Sequence, residues 1–159
     1  RWGKSTLWEE STRVPLIFAG PGITAGRRSD APVDLADVYP TIAELCRTPS
    51  PANLEGHSLK PLLDNPEISW EHAAITTQLA KHHAVRTRRW RYIRYADGSE
   101  ELYDHAKDPH EWFNLADDPQ NAHVKQQQAK HLPRGEAPEI PFATPPKDIL
   151  EKLGIDAKP

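Results

Sequence analysis

Hydrophobic and polar positions follow different patterns along this chain, and each pattern predicts a different element. Residues 14–19 form a short apolar run closed by Gly20-Pro21-Gly22. Six residues are too few for a helix, so the run predicts a strand covered on both faces, as strands of a central parallel sheet are. In 33–46, Leu35, Val38, Ile42 and Leu45 recur at helical intervals. A helix is predicted there with a bend at Tyr39-Pro40, because proline suits a first helical turn and disrupts later ones. Thr48-Pro49-Ser50-Pro51 interrupts the pattern, and 54–63, ahead of Asn65-Pro66, reads as a loop carrying one short helical turn.

From Ala73 the chain changes to short β-rich runs: Ala74-Ile75-Thr76-Thr77, Ala84-Val85-Arg86-Thr87, residues 90–95 and Glu101-Leu102-Tyr103. They predict one antiparallel sheet. Asp97-Gly98 between the last two is a strong hairpin signal, since both residues tolerate the positive φ of a tight turn. Asp117-Asp118-Pro119 supplies a cap and a first-turn proline for a helix running towards Leu132. Thr144-Pro145-Pro146 does the same for 147–153, with Gly154 as the stop and a proline-rich linker over 133–145.

Composition adds bounds rather than chemistry. A chain of 159 residues can bury one core. No apolar stretch approaches the roughly 20 residues that a membrane helix needs. Net charge is −3, and the lone Cys46 excludes an internal disulfide framework without deciding the redox compartment. The chain holds no methionine and opens on Arg1-Trp2, so a preceding portion is expected, and a signal peptide is not readable.

Five stretches then occur in order between Gly3 and about Pro119. They are Gly3-Lys4-Ser5-Thr6-Leu7-Trp8-Glu9-Glu10-Ser11-Thr12-Arg13-Val14-Pro15-Leu16-Ile17; Val33-Asp34-Leu35-Ala36-Asp37-Val38-Tyr39-Pro40-Thr41; and Leu54-Glu55-Gly56-His57-Ser58-Leu59. Ala84-Val85-Arg86-Thr87-Arg88-Arg89-Trp90-Arg91-Tyr92 follows, then Glu101-Leu102-Tyr103-Asp104 with Asp108-Pro109-His110-Glu111-Trp112-Phe113-Asn114-Leu115. Together they resemble the C-terminal part of the formylglycine-dependent (type I) sulfatases, of the iduronate-sulfatase-like kind.

The resemblance implies an α/β protein, α+β within this segment: the end of an alkaline-phosphatase-like α/β domain over 1–72, then an antiparallel-sheet subdomain with its helix over 73–132. Residues 133–159 are the linker and a terminal helix. It implies hydrolysis of sulfate esters by a calcium-held formylglycine hydrate, whose hydroxyl attacks sulfur and then eliminates sulfate. The modification motif and the calcium ligands have no counterpart in these residues, so both are expected upstream and the isolated segment is expected to be inactive. Lys4 matches the family lysine that contacts the sulfate group, where an ammonium offsets charge on the sulfuryl oxygens. The loop feeding residues 84–87 helps wall the substrate pocket in similar sulfatases, which makes His83 and Arg86 substrate-side candidates. The implied partner is a sulfated small molecule or polysaccharide, with neither nucleic acid nor membrane, in a periplasmic or extracellular setting.

Other motifs are weaker. Cys46-Arg47-Thr48-Pro49-Ser50 contains the letters of the family's Cys-x-Pro-x-Arg motif in the wrong order, and Cys46 is predicted to be a small buried hydrophobe. Glu9, Glu10 and Arg13 predict an ion pair that steadies the loop after Lys4. Asp108-Pro109 with Glu111 and Asn114 reads as a turn that ends the hairpin sheet, where the Asp and Asn side chains satisfy backbone donors. His82-His83 and His105 with His110 lack zinc spacing, since adjacent strand residues point to opposite faces. Lys81, Arg86, Arg88, Arg89, Arg91 and Arg94 form a basic stretch interleaved with Trp90, Tyr92 and Tyr95. It fits a polyanion surface, or a half-buried strand whose arginines pair with acids such as Glu100 and Glu101. Two other functions fit the same residues: a phosphomonoesterase or phosphodiesterase of the same superfamily, and a non-catalytic polyanion-binding module.

Overall fold

The computed structural model describes residues 5–135. Its centre is a four-stranded antiparallel meander, β1 (Ala74–Thr77), β2 (His83–Arg86), β3 (Trp90–Arg94) and β4 (Glu100–Asp104), with the strands side by side in chain order. The turn between β3 and β4 explains why Asp97-Gly98 closes it. Gly98 has φ +85°, its N–H donates to the Tyr95 carbonyl at 3.0 Å, and the Asp97 carboxylate accepts the Ser99 N–H at 2.9 Å. An L side chain at position 98 would pay for that φ in strain.

The register assigns each residue to a face. Ala84 lies opposite Ile93, Val85 opposite Tyr92, Arg86 opposite Arg91, and Tyr92 in turn opposite Leu102. One face therefore carries Val85, Tyr92 and Leu102, which bury with Ala116, Val124 and Leu132 under α4 (Ala122–Ala129). The other face carries Ala84, Ile93 and Tyr103, which bury with Leu7 and are flanked by Trp8 and Tyr95. A sheet covered on both faces by one helix and one N-terminal segment is a three-layer arrangement. The Asp118 carboxylate caps the Gln120 N–H at 2.9 Å, and a 3-10 turn over Pro119–Asn121 leads into α4. The helix stops at Ala129, short of the predicted Leu132, and a turn carries Leu132 back into the core.

The remaining elements are short: α1 (Glu9–Thr12), a 3-10 turn over Leu35–Asp37 that runs into α2 (Val38–Leu45), and α3 (Lys60–Asp64). The bend therefore falls at Asp37-Val38, two residues before the predicted Tyr39-Pro40, because Asp34 and Asp37 cap each other reciprocally and tighten the entry. A buried polar knot joins α2 to α3. Asp37 accepts the His57 N–H at 2.7 Å, while Thr41 donates to the Asp37 carbonyl and accepts the Leu59 N–H at 2.8 Å. Gly56 completes the knot by close approach, since a Cβ there would sit 2.1 Å from the Ala36 carbonyl oxygen.

Three expectations are corrected. Residues 14–19 form no strand; Ile17 is 85% exposed, because no described residue offers this run a ladder to join. Along the α2 stripe, Leu35 and Ile42 face outward, and the buried positions of the stretch are Asp37, Thr41 and Ala43. Cys46 is exposed rather than buried, because it caps the last turn of α2 beyond the knot. The helix predicted over 147–153 and most of the 133–145 linker lie outside the described residues.

Gly56→Ala is expected to destabilise the fold by about 1–3 kcal/mol, because its methyl meets backbone rather than a movable side chain. Gly20→Ala, with open space around its Cβ, is expected to be neutral within about 0.5 kcal/mol. Thermal melting of the two variants against the parent checks the contrast.

Candidate functional site

Lys4 itself lies outside the described residues, but the segment that follows it is held at several points. The Ser5 carbonyl accepts from Gln78 Nε2 at 2.7 Å, which ties the segment to the loop between β1 and β2. Leu7 is 2% exposed against Ala84, Ile93 and Tyr103. Trp8 Nε1 donates to Glu101 Oε2 at 2.7 Å, and Glu101 also accepts the hydroxyls of Tyr95 and Tyr103. The segment thus docks by an apolar residue and an indole whose polar end is satisfied.

Its fixed position comes from an ionic cluster. Arg86 and Arg91 are cross-strand partners on one face, and two like charges placed so are destabilising unless acids lie between them. Glu9 and Glu111 supply those acids. Glu9 Oε2 accepts from Arg86 Nε at 3.1 Å and from the Arg91 guanidinium. Arg91 Nε stands 2.6 Å from Glu111 Oε1 without a well-aligned hydrogen bond, and Arg91 also donates to the Leu7 carbonyl at 2.9 Å and to Thr12 Oγ1 at 3.1 Å. Glu111 Oε2 accepts the Glu9 N–H at 2.9 Å. His105 closes the ring: its Nδ1 faces Arg86 Nη2 and its Nε2 faces Glu111 Oε1, each at 2.9 Å. An arginine can only donate, so these partners select the tautomer with Nε2–H.

Burial pushes the Glu9 carboxyl up, but Arg86 and Arg91 beside it more than offset this and hold it below its usual value. Burial likewise lowers Arg86, against the opposing pull of Glu9. On the opposite face burial raises Tyr92, helped by Glu100 at its hydroxyl. Glu100 is lowered on balance, its own burial being offset by Lys125 at 2.7 Å and by Tyr92. Arg89 holds Asp104 low by a paired contact at 2.8 and 2.6 Å.

Glu9, His105 and Glu111 bring metal-ligand atoms within 4.8 Å of one another. They do not fit calcium. That ion takes about six to eight oxygens, and here the carboxylate oxygens already face two guanidiniums whose charge they balance. A cation at this point would add charge without adding ligands.

The structure brings Arg86 into this cluster and sets His83 apart from it. His83 is 1% exposed on the other sheet face, with Nδ1 2.9 Å from Thr77 Oγ1. Neither residue lines either of two open clefts, of about 520 and 640 Å³, formed by the described residues. As direct ligand contacts they would have to exchange these partners for the ligand. The expected Glu9–Arg13 pair exists but stretches to 4.0 Å with Arg13 largely exposed, and Glu9 is held chiefly by Arg86 and Arg91. The Asp108 and Asn114 turn is as expected: Asp108 accepts the Phe113 N–H, and Asn114 accepts those of Leu102 and Ala116. Glu111 and His105 were missed as members of the cluster. Counting two residues on from Tyr103, the cross-strand partner of Arg91, would have placed His105 on the arginine face.

A depressed carboxyl stabilises the fold above the ordinary carboxylate range and loses that contribution as pH falls through its folded value. Glu9→Gln is therefore expected to cost on the order of 2 kcal/mol at pH 7. Its deficit against the parent should shrink as pH drops from about 5 to about 2. Chemical denaturation at a series of pH values checks this, and a constant deficit would contradict it.

Comparison with known proteins adds identity to this geometry. The family profile of N-sulphoglucosamine sulphohydrolase, C-terminal, matches residues 1–137. A sulfatase of Formosa agariphila is 44% identical over 115 residues, covering 72% of this chain and 23% of that protein. A solved 2-O GAG sulfatase matches with a TM-score of 0.62 at 27% identity, over 87% of this chain and 29% of its own. The phosphonate monoester hydrolase of Silicibacter pomeroyi matches with a TM-score of 0.67 at 26% identity, over 81% and 30%. The chain spans about a quarter of the length of the protein relatives it matches. It belongs to the family of the N-sulphoglucosamine sulphohydrolase C-terminal domain, and so to the sulfatases of the alkaline-phosphatase-like superfamily.

Proposed function

We propose that this chain is the C-terminal part of a sulfuric ester hydrolase acting on sulfated carbohydrate, and that it contributes Lys4 to the site. The observation that carries the reading is the fixed docking of residues 5–12. Leu7, Trp8 and Glu9 anchor the segment immediately after Lys4 to the sheet, so a lysine there has a defined base from which to reach a sulfate group. An ammonium held in place stabilises charge that grows on the sulfuryl oxygens and the leaving oxygen, and it needs no reorganisation at the moment of reaction. The similarity to a 2-O GAG sulfatase supports a sulfated saccharide as substrate.

On this reading His83 and Arg86 serve the substrate side from behind. His83 with Thr77 closes the base of the 78–82 loop, which reaches Ser5 through Gln78, and Arg86 holds Glu9. On the same reading the calcium site and the nucleophile, a formylglycine that would supply the attacking hydroxyl, lie outside these residues. The basic stretch supports a polyanion surface only weakly. Arg86 and Arg91 lie inside the cluster, Arg89 pairs with Asp104 and Arg94 is half-buried opposite Glu100, so Arg88 and Lys81 are the exposed cations of the stretch that none of these pairings engages. Among the described residues no helix is long and apolar enough to cross a membrane, and we propose a periplasmic or extracellular location.

The similarity to a phosphonate monoester hydrolase favours a second reading, hydrolysis of phosphorus esters on the same scaffold. Assaying the complete protein with an aryl sulfate, a sulfated disaccharide and an aryl phosphonate ester separates the two. In that protein Lys4→Ala is expected to lower kcat on the sulfate ester roughly 30- to 1,000-fold, the ~2 to 4 kcal/mol that a preorganised charge-stabilising group supplies. Its melting temperature should not change; unaltered kinetics would remove Lys4 from the chemistry. These 159 residues alone are expected to release no sulfate, and turnover by the pure segment would overturn the placing of the nucleophile elsewhere.

A further inference from the structure

We infer that Glu111 is a positioning residue, whose buried carboxylate sets where the Lys4-bearing segment lies on the sheet. The inference deepens the function proposed above and rests on it.

Three observations converge on this side chain. Glu111 has φ +57°, a left-handed conformation that costs a non-glycine residue strain. Glycine would relieve that strain, so the glutamate contributes something that only its side chain can supply. Its neighbours His110, Trp112 and Phe113 are exposed, whereas Glu111 is 1% exposed and points inward. The turn that presents it is cross-linked by side chains, with Asp108 accepting the Phe113 N–H at 2.8 Å and Asn114 accepting two backbone N–H groups at 2.9 Å.

The two carboxylate oxygens divide the task. Oε2 takes the Glu9 N–H in the first turn of α1, a direct hold on the segment. Oε1 sits against Arg91 Nε and His105 Nε2. Arg91 then passes the constraint on, because its guanidinium also donates to the Leu7 carbonyl and to Thr12 Oγ1. Hydrophobic burial of Leu7 favours contact with the sheet but is non-directional, so it cannot fix how far the segment slides along the sheet. Directional bonds to Glu9 and Leu7 can. Lys4 precedes Leu7 by three residues, and a displacement of Leu7 and Glu9 passes to it along the backbone. Glu111 is 1% exposed, and among the described residues its hydrogen bond to the Glu9 N–H is its direct link to this segment.

The test is a double-mutant cycle in the complete protein on an aryl sulfate, with Glu111→Gln, Lys4→Ala and the two combined. Glu111→Gln is expected to lower kcat about 10- to 100-fold, the scale of misplacing a reacting group by about 1 Å, and to move KM much less. On the Lys4→Ala background it should lower kcat little further, because both changes disable one device. Losses that multiply, or an unchanged kcat in Glu111→Gln, would overturn the inference while leaving the sulfatase reading intact. Should Glu111→Gln fail to fold, Glu111→Asp keeps the charge, shifts the carboxylate and is read by the same criteria. If the parent does not cleave sulfate esters or Lys4→Ala has no effect, it is the functional reading that fails. Hydrogen exchange at residues 9–12 then decides the anchoring: faster exchange in Glu111→Gln supports it, and unchanged exchange refutes it.

Discussion

Arg86 and Arg91 face each other across β2 and β3, both largely withdrawn from solvent, and much of the molecule answers that pairing. Left alone, two opposed guanidiniums would push the central strands apart. Each must be matched by an acid that burial does not neutralise. No acid on β2 or β3 can serve, because the strand register gives those positions to Ala84, Ile93 and their neighbours. The compensating charges therefore come from far along the chain, Glu9 from α1 and Glu111 from the turn after β4.

This constraint joins two parts of the chain that composition would keep separate. Residues 5–12 are the third layer of the sheet, as necessary to one face as α4 is to the other. In the same cluster the two acids are engaged by the two arginines, an arrangement that suits placing neighbouring groups. The sheet's other face works differently. There Val85, Tyr92 and Leu102 supply an ordinary apolar core, and the polar contacts, Tyr92 to Glu100 and Glu100 to Lys125, sit at its rim.

Local signals were the legible ones. Asp97-Gly98 closed its hairpin because positive φ at Gly98 is a property of that residue alone. Asp118-Pro119 opened α4 because a cap and a first-turn proline act within three residues. All four strands fell within a residue or so of their predicted bounds, since β-rich runs between turn signals need no distant partner to be recognised. What failed depended on distance. Residues 14–19 have the composition of a covered strand, but composition does not supply the neighbours that make one. Residue type predicts a buried Cys46, whereas its exposure follows from its place at the end of α2. The basic stretch is part surface and part interior, and its expected acids hold only in part: Glu100 does lie beside Arg94. Glu101 turned out to serve Trp8 and two tyrosines, and Arg91 found Glu9 and Glu111, about eighty residues before it and twenty after it.

The bond from the Glu9 N–H to Glu111 spans 102 residues, and this separation orders events during synthesis. At the roughly 5–20 residues per second of translation, the segment leaves the ribosome about 5 to 20 s before its anchor has been made. For that interval Leu7 and Trp8 have no sheet to cover them. The meander that receives them is assembled from adjacent strands and short turns, contacts that form quickly once their residues are present. Residues 7–9, made before the sheet that receives them, are thus among the later parts of this region to find their place.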